Sequence, residues 1–280
     1  MLVTIRRNAS EAPLVAEAAV SKKGATLSCP DNAMPNSLAS LLARSCRKCP
    51  VEGLSACNSL KPDELGELDS IVVECHYRHK DTLFAVTLAA DYVHIITEGV
   101  VRLHRTLADG RHMISGFAMP GDFLGLSIDG TYANTADALG YVSTCRISRR
   151  AYSDLINSKP RLLHRLYAET THELTQAHDQ MMLLGRCNAV ERTAIFLINL
   201  RNRWMRINGQ SAYISLPMTR QDIGDFIGLT VETVSRTITK FAREKLIVVV
   251  PNGVRVLDYP GLEAVAAAGS RTTSLSPARR

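Results

Sequence analysis

The chain has 280 residues, 46% hydrophobic and 21% charged, a balance expected of a globular protein with room for about two cores. No apolar run approaches the roughly 20 residues that cross a bilayer, and Glu11 and Glu17 interrupt any leader behind Arg6 and Arg7, so a cytoplasmic protein is expected. The net charge of +6 sits in 186–257, where eleven Lys/Arg oppose five Asp/Glu while the rest of the chain balances at 22 each; an excess confined to one segment points to a polyanionic partner.

Residues 1–40 lack periodicity and are expected to form a tail. A cysteine-rich loop follows at 41–60, with Cys46-Arg-Lys-Cys49 and, after seven residues, Cys57. In a cytoplasmic chain, clustered cysteines favour metal or redox chemistry over a disulfide framework. Three thiols from one loop need a fourth donor, and Cys29, Cys75, Cys145 and Cys187 are the candidates. Sulfur donors suit zinc and an iron–sulfur cluster about equally.

Residues 61–150 carry short β-rich runs: Ile71 to Val73, Leu83 to Leu88, Tyr92 to Ile96, Val100 to Leu107 and Met113 to Phe117. Asp109-Gly110 between two of them marks a hairpin, and a small antiparallel barrel or roll is expected. In 151–184 the period changes. From Pro160, a good first helical residue, Leu163, Tyr167, Thr170, Leu174, Ala177, Met181 and Leu184 recur at steps of four and three. That narrow stripe with polar flanks predicts a coiled-coil seam with a second copy, and Thr170 and Ala177 make it a weak one.

Residues 185–258 read as a winged helix-turn-helix. A helix spans Ala189 to Trp204, and a second spans Thr219 to Ile227, with Thr219 as N-cap and Asp222 at N3. After the Gly228-Leu229 turn, Thr230 caps a helix running to about Glu244. Strands at Ile247 to Val250 and Val254 to Leu257 complete the unit. Residues 259–280 are expected to be a solvated tail. In the third helix Val231, Val234, Ile238 and Phe241 face inward, while Glu232, Ser235, Arg236, Thr239 and Arg243 share the outer face. Arg, Glu and Ser are the side chains that address guanine, cytosine and mixed base edges; Lys240, Lys245 and Arg220 are placed for phosphates. No nucleophile–base pair or phosphate loop suggests an enzyme.

The run from Met218 to Arg236, with Glu232, Ser235 and Arg236 in a Glu-x-x-Ser-Arg pattern, resembles the DNA-binding signature of the FNR branch of the CRP/FNR regulators. The resemblance extends through Asn188-Ala-Val-Glu-Arg192, Glu98-Gly99-Val-Val-Arg-Leu, Asp109-Gly110-Arg111 and Pro120-Gly121-Asp122, and covers about 46–257. It implies an α+β fold: an N-terminal antiparallel β-roll of the cyclic-nucleotide-binding kind, a long dimerisation helix and a C-terminal winged helix-turn-helix. It also implies a homodimer that binds double-stranded DNA at an inverted repeat close to TTGAT-N4-ATCAA and works with RNA polymerase. The cysteine spacing is that of the FnrN/FixK-like members, which implies a [4Fe–4S] cluster on Cys46, Cys49, Cys57 and Cys145, with oxygen as signal and Arg44, Arg47 and Lys48 offsetting the negative charge. Between Gly121 and Cys145 no basic residue stands where nucleotide-binding relatives hold phosphate. The alternatives are a structural zinc site without oxygen sensing and a CRP-type small-ligand regulator. The run Ala85 to Ala90 departs from the turn common in relatives.

Overall fold

A computed structural model describes residues 46, 49–51, 53–107, 110, 112–127, 129–209 and 212–268. The expected tail at 1–40, Cys29, the cations Arg44, Arg47 and Lys48, and Asp109 and Arg111 lie outside these residues.

A 3-10 turn at Ala56–Ser59 leads into helix α1 (Glu64–Ile71). Strands β1 (Val72–Tyr77), β2 (Thr82–Phe84), β3 (Tyr92–Glu98), β4 (Val101–Thr106), β5 (His112–Ala118), β6 (Phe123–Leu124), β7 (Thr135–Ala138) and β8 (Val142–Ser148) follow. They form two antiparallel four-stranded sheets, ordered β1-β8-β3-β6 and β2-β7-β4-β5. Between them Tyr77, Phe84, Ile96, Val101, Leu124, Tyr132, Ala136 and Val142 make one core, the filling expected of a small roll whose strands alternate inward and outward.

Helices α2 (Arg149–Ser158) and α3 (Pro160–Arg186) come next, then α4 (Ala189–Asn208), β9 (Tyr213–Ser215), α5 (Arg220–Ile227), α6 (Val231–Arg243), β10 (Ile247–Val250), β11 (Gly253–Val256) and α7 (Tyr259–Ala267). The wing sheet is ordered β10-β11-β9. Thr219 and Asp222 form a capping box on α5, and Gly228, at φ +67°, closes that helix in the left-handed region, the conformation glycine adopts without steric cost.

Three expectations are corrected. Ile71 ends α1 instead of opening a strand, because Leu65 and Leu68 are buried three residues apart, a helical repeat. The strand from Leu83 stops at Phe84, since Thr87 takes φ +70° in a turn. Helix α3 starts at Pro160, and the separate α2 precedes it across Lys159, where proline disfavours a helical predecessor. The segment from 259 is no solvated tail as far as it is described: Asp258 accepts the Gly261 amide as N-cap of α7, Leu262 is fully buried, and the Arg201 guanidinium stacks 4.1 Å from the Tyr259 ring. Alanine is the strongest helix former, so an alanine-rich segment needs only one buried leucine and a cap to dock. Among the described residues no helix is long and apolar enough to cross a membrane.

Leu262→Ala is expected to destabilise the protein by about 2–5 kcal/mol, the range for a buried leucine truncation. Urea unfolding measures it, and an unchanged midpoint would restore 259–267 to a tail.

Candidate metal centre and nucleic-acid interface

Strand pleating sorts the residues of β8 between two environments. Thr144 and Arg146 are buried, whereas Cys145 between them turns outward, paired in register with Glu74 on β1 and Ile95 on β3. There it meets the cysteine loop. Cys46, Cys49, Pro50, Asp69, Val72, Glu74, Thr97 and Cys145 line one cavity of about 50 Å³. Cys57 lies beside it in the 3-10 turn and is packed with Cys145 against Ala56, Leu60, Tyr152, Leu162 and Leu166. The predicted set Cys46, Cys49, Cys57 and Cys145 is therefore gathered at one place, while Cys75 is buried in β1 and Cys187 caps the end of α3.

Burial pushes the Cys57 thiol up to about 11 and the Cys145 thiol up to about 12; negative charge on Cys49, Cys57, Glu74 and Asp69 adds to the second shift. Burial likewise raises Cys46, whose thiol also bonds the Asp69 carboxylate. Asp69 further accepts the Cys46 amide at 2.9 Å. These thiols are thus held protonated at neutral pH, and a metal would have to displace the protons. Among the described residues no three His, Cys, Asp or Glu side chains converge closely enough to hold a metal ion as placed. The chemistry of the donor set, three thiols on one cavity with that of Cys57 beside it, fits a soft-ligand centre. Asp69 and Glu74 were not legible as neighbours, because nothing in their spacing ties α1 and β1 to the loop.

Helix α3 carries two faces. Leu162, Leu166 and Leu183 are buried against the rest of the chain. The seven predicted seam residues are exposed, among them Tyr167 (72%), Leu174 (58%) and Met181 (60%), with Leu163 and Leu184 beside the same stripe and Thr170 and Ala177 between. An apolar stripe this long in solvent marks an interaction surface.

On α6, Val234, Thr237, Ile238 and Phe241 are buried, while Glu232, Ser235, Arg236, Thr239 and Arg243 are exposed on the opposite side. Lys240 lies 3.9 Å from Glu244 and Lys245 is exposed; Arg220 at the start of α5 is half-buried, and burial lowers its pKa. The Glu232 carboxyl is held below its usual range by the backbone N–H at the start of α6 and by Thr230. A Cβ on Gly224 would stand 2.5 Å from the Leu229 carbonyl oxygen, so only glycine lets α5 and α6 approach this closely.

Arg192, quoted in the sequence without a role, ties the unit to the long helix. It donates to the Leu184 carbonyl (2.7 Å), the Cys187 carbonyl (2.8 Å) and the Ile227 carbonyl (3.2 Å). Gln180 donates to the Phe226 carbonyl at 2.9 Å. The ends of α3 and α5 are thereby satisfied by neighbouring side chains rather than by water.

In metal-free protein the raised thiols give a signed pH dependence. Below about pH 9 they are protonated folded or unfolded; above it the unfolded chain loses protons that the fold retains to about 11 (Cys57) and about 12 (Cys145). Their contribution to stability is therefore lost as pH rises across that window. The urea midpoint should fall there more steeply for wild type than for Cys57→Ser/Cys145→Ser, and parallel profiles would refute the assignment.

The Crp-like helix-turn-helix domain family matches residues 191–265, and the cyclic nucleotide-binding domain family matches 74–159. The chain is 47% identical over 220 residues to the transcriptional activatory protein AadR of Rhodopseudomonas palustris, across 79% of this chain and 92% of that protein. It is 40% identical over 223 residues to the nitrogen fixation regulation protein FixK of Bradyrhizobium diazoefficiens, across 80% and 94%. The solved structure of FixK2 from Bradyrhizobium japonicum superposes with a TM-score of 0.66 at 31% identity, over 71% of this chain and 98% of that one. With a β-roll, a long helix and a helix-turn-helix in this order, the chain belongs to the CRP/FNR family of transcriptional regulators, and it is a DNA-binding protein rather than an enzyme.

Proposed function

We propose that the protein is an oxygen-responsive regulator that acts as a homodimer at low oxygen. In this reading it binds an inverted repeat close to TTGAT-N4-ATCAA and recruits RNA polymerase to genes of anaerobic or microaerobic metabolism. The observation that carries the reading is the meeting of Cys145, from the centre of a sheet, with Cys46 and Cys49 around one cavity at the foot of α3. Cys46, Cys49, Cys57 and Cys145 would hold a [4Fe–4S] cluster, which when bound supplies the oxygen-labile group.

The chain's own residues supply the rest. Cys46, Ala56 and Leu60 of the loop share an apolar cluster with Leu162 and Leu166, so ordering the loop buttresses the first turns of α3 directly below Leu163 and Tyr167. A weak seam is what such a switch needs, since a bound group shifts an equilibrium only by its differential stabilisation of two states. Two copies joined through the seam would place two α6 helices in successive major grooves when half-sites lie about 34–36 Å apart. Arg236 is suited to guanine and Glu232 to cytosine. Asp69 and Glu74 beside the thiols favour one second reading, a single zinc ion in a mixed thiolate–carboxylate site.

Anaerobic reconstitution with iron and sulfide should give a [4Fe–4S] stoichiometry in wild type that is lost in Cys145→Ala. Zinc without sulfide, or iron unchanged in the variant, would overturn the cluster reading. Arg236→Ala should weaken binding to the palindrome by about 10–100-fold while leaving the oligomeric state intact, the cost of a bidentate base contact. Unchanged affinity in a gel shift would remove Arg236 from the interface.

A further inference from the structure

Among the described residues, two ion pairs cross from the β-roll to the DNA-binding unit. One joins Asp122, in the turn after β5, to Arg203 on α4, whose other nitrogen donates to the Phe117 carbonyl at 2.7 Å. The other centres on Arg102 of β4. Its guanidinium forks, Nη2 reaching Asp137 Oδ2 at 2.9 Å and Nη1 reaching Asp222 Oδ1 at 2.8 Å.

The two arms end on very different supports. Asp137 is Arg102's register partner on β7, and it also accepts from Thr82 at 2.8 Å and lies 2.8 Å from His104 Nε2. On that side the arginine is fixed to three strands of one sheet. Asp222 is the N3 residue of α5, and its second oxygen accepts the Thr219 amide (2.8 Å) and hydroxyl (2.7 Å). The carboxylate that closes the first turn of α5 is thus the one the β-roll grips. Because α5 and α6 are locked at Gly224, a displacement of Asp222 is passed to Glu232, Ser235 and Arg236.

The apolar part of the same junction, Phe117 against Phe196 and Phe226, is non-directional: burial favours contact but does not fix its angle. A forked, charge-assisted pair does, since two hydrogen bonds to separately anchored carboxylates leave one orientation. We propose that Arg102 is the positioning residue that sets where the recognition helix sits on the β-roll, and thereby the half-site spacing that a dimer accepts. This rests on the dimer and inverted repeat proposed above, and it assigns no base contact to Arg102.

The test measures fluorescence anisotropy of the full-length protein, in its DNA-binding state, on the palindrome and on versions with the spacer one base pair shorter or longer. One base pair moves a half-site by about 3.4 Å. Wild type should prefer the N4 spacer about tenfold or more. Arg102→Lys keeps the charge but cannot fork, so its affinity at N4 should fall about tenfold and its preference should flatten to about threefold or less. The salt dependence should not change, because phosphate contacts are untouched. Asp137→Asn, which leaves α5 its cap and Arg102 its charge, should shift the preference in the same direction. Thermal unfolding checks that both variants are folded. Variants that keep the wild-type preference, or that lose affinity equally at all three spacings, overturn the inference. Wild type that binds none of the three overturns the DNA-site reading instead.

Discussion

The architecture depends on one apolar junction. Phe117 leaves the β-roll and meets Phe196 of α4 and Phe226 of α5 edge-on, at ring separations of 6.3 and 5.4 Å. Val100, Ile114, Met119 and Leu139 of the roll belong to the same cluster as Ile223, Val234, Ile238 and Phe241 of the helix-turn-helix. Domains joined by thin polar interfaces move independently by default. Here a shared core holds the roll and the reading head of one chain in contact, and the Arg102 fork bridges the same junction.

The cysteine cavity is a site whose thiols, as placed, are held protonated. Burial and the neighbouring carboxylates Asp69 and Glu74 keep Cys46 and Cys145 as thiols. Thiolates are the metal-binding form, so a metal bound here would have to expel those protons. Ala56 and Leu60 of the same loop share one apolar cluster with Leu162 and Leu166 at the base of α3.

What could be read from the chain follows a physical divide. The apolar stripe on α3 was legible because it stands on an otherwise polar helix, and α6 because capping residues and an inward apolar row agree with each other. The capping box Thr219–Asp222 was visible at a separation of three residues. The other role of Asp222, holding Arg102 across 120 residues, leaves no periodic trace. Strands β6 and β7, of two and four residues, are too short to show alternation. Helix α1 ends at Ile71 and runs straight into Val72-Val73 of β1, and this β-branched run masks the helix before it. Cysteine 145 is intermediate: its environment came from a family pattern, and only the pleat of β8 explains why its side chain leaves the roll.

The two faces of α3 have a consequence for the free chain. Its own-chain anchors, Leu162, Leu166 and Leu183, lie near the two ends, and from Tyr167 to Asp179 every residue but Glu169 is exposed. That middle stretch has helical hydrogen bonds but almost no packing, and isolated helices of about 12–15 residues are marginal in water. Association would then complete the secondary structure as well as join surfaces, so assembly becomes a coupled folding step. Such a helix makes the protein responsive to its own abundance as much as to any ligand.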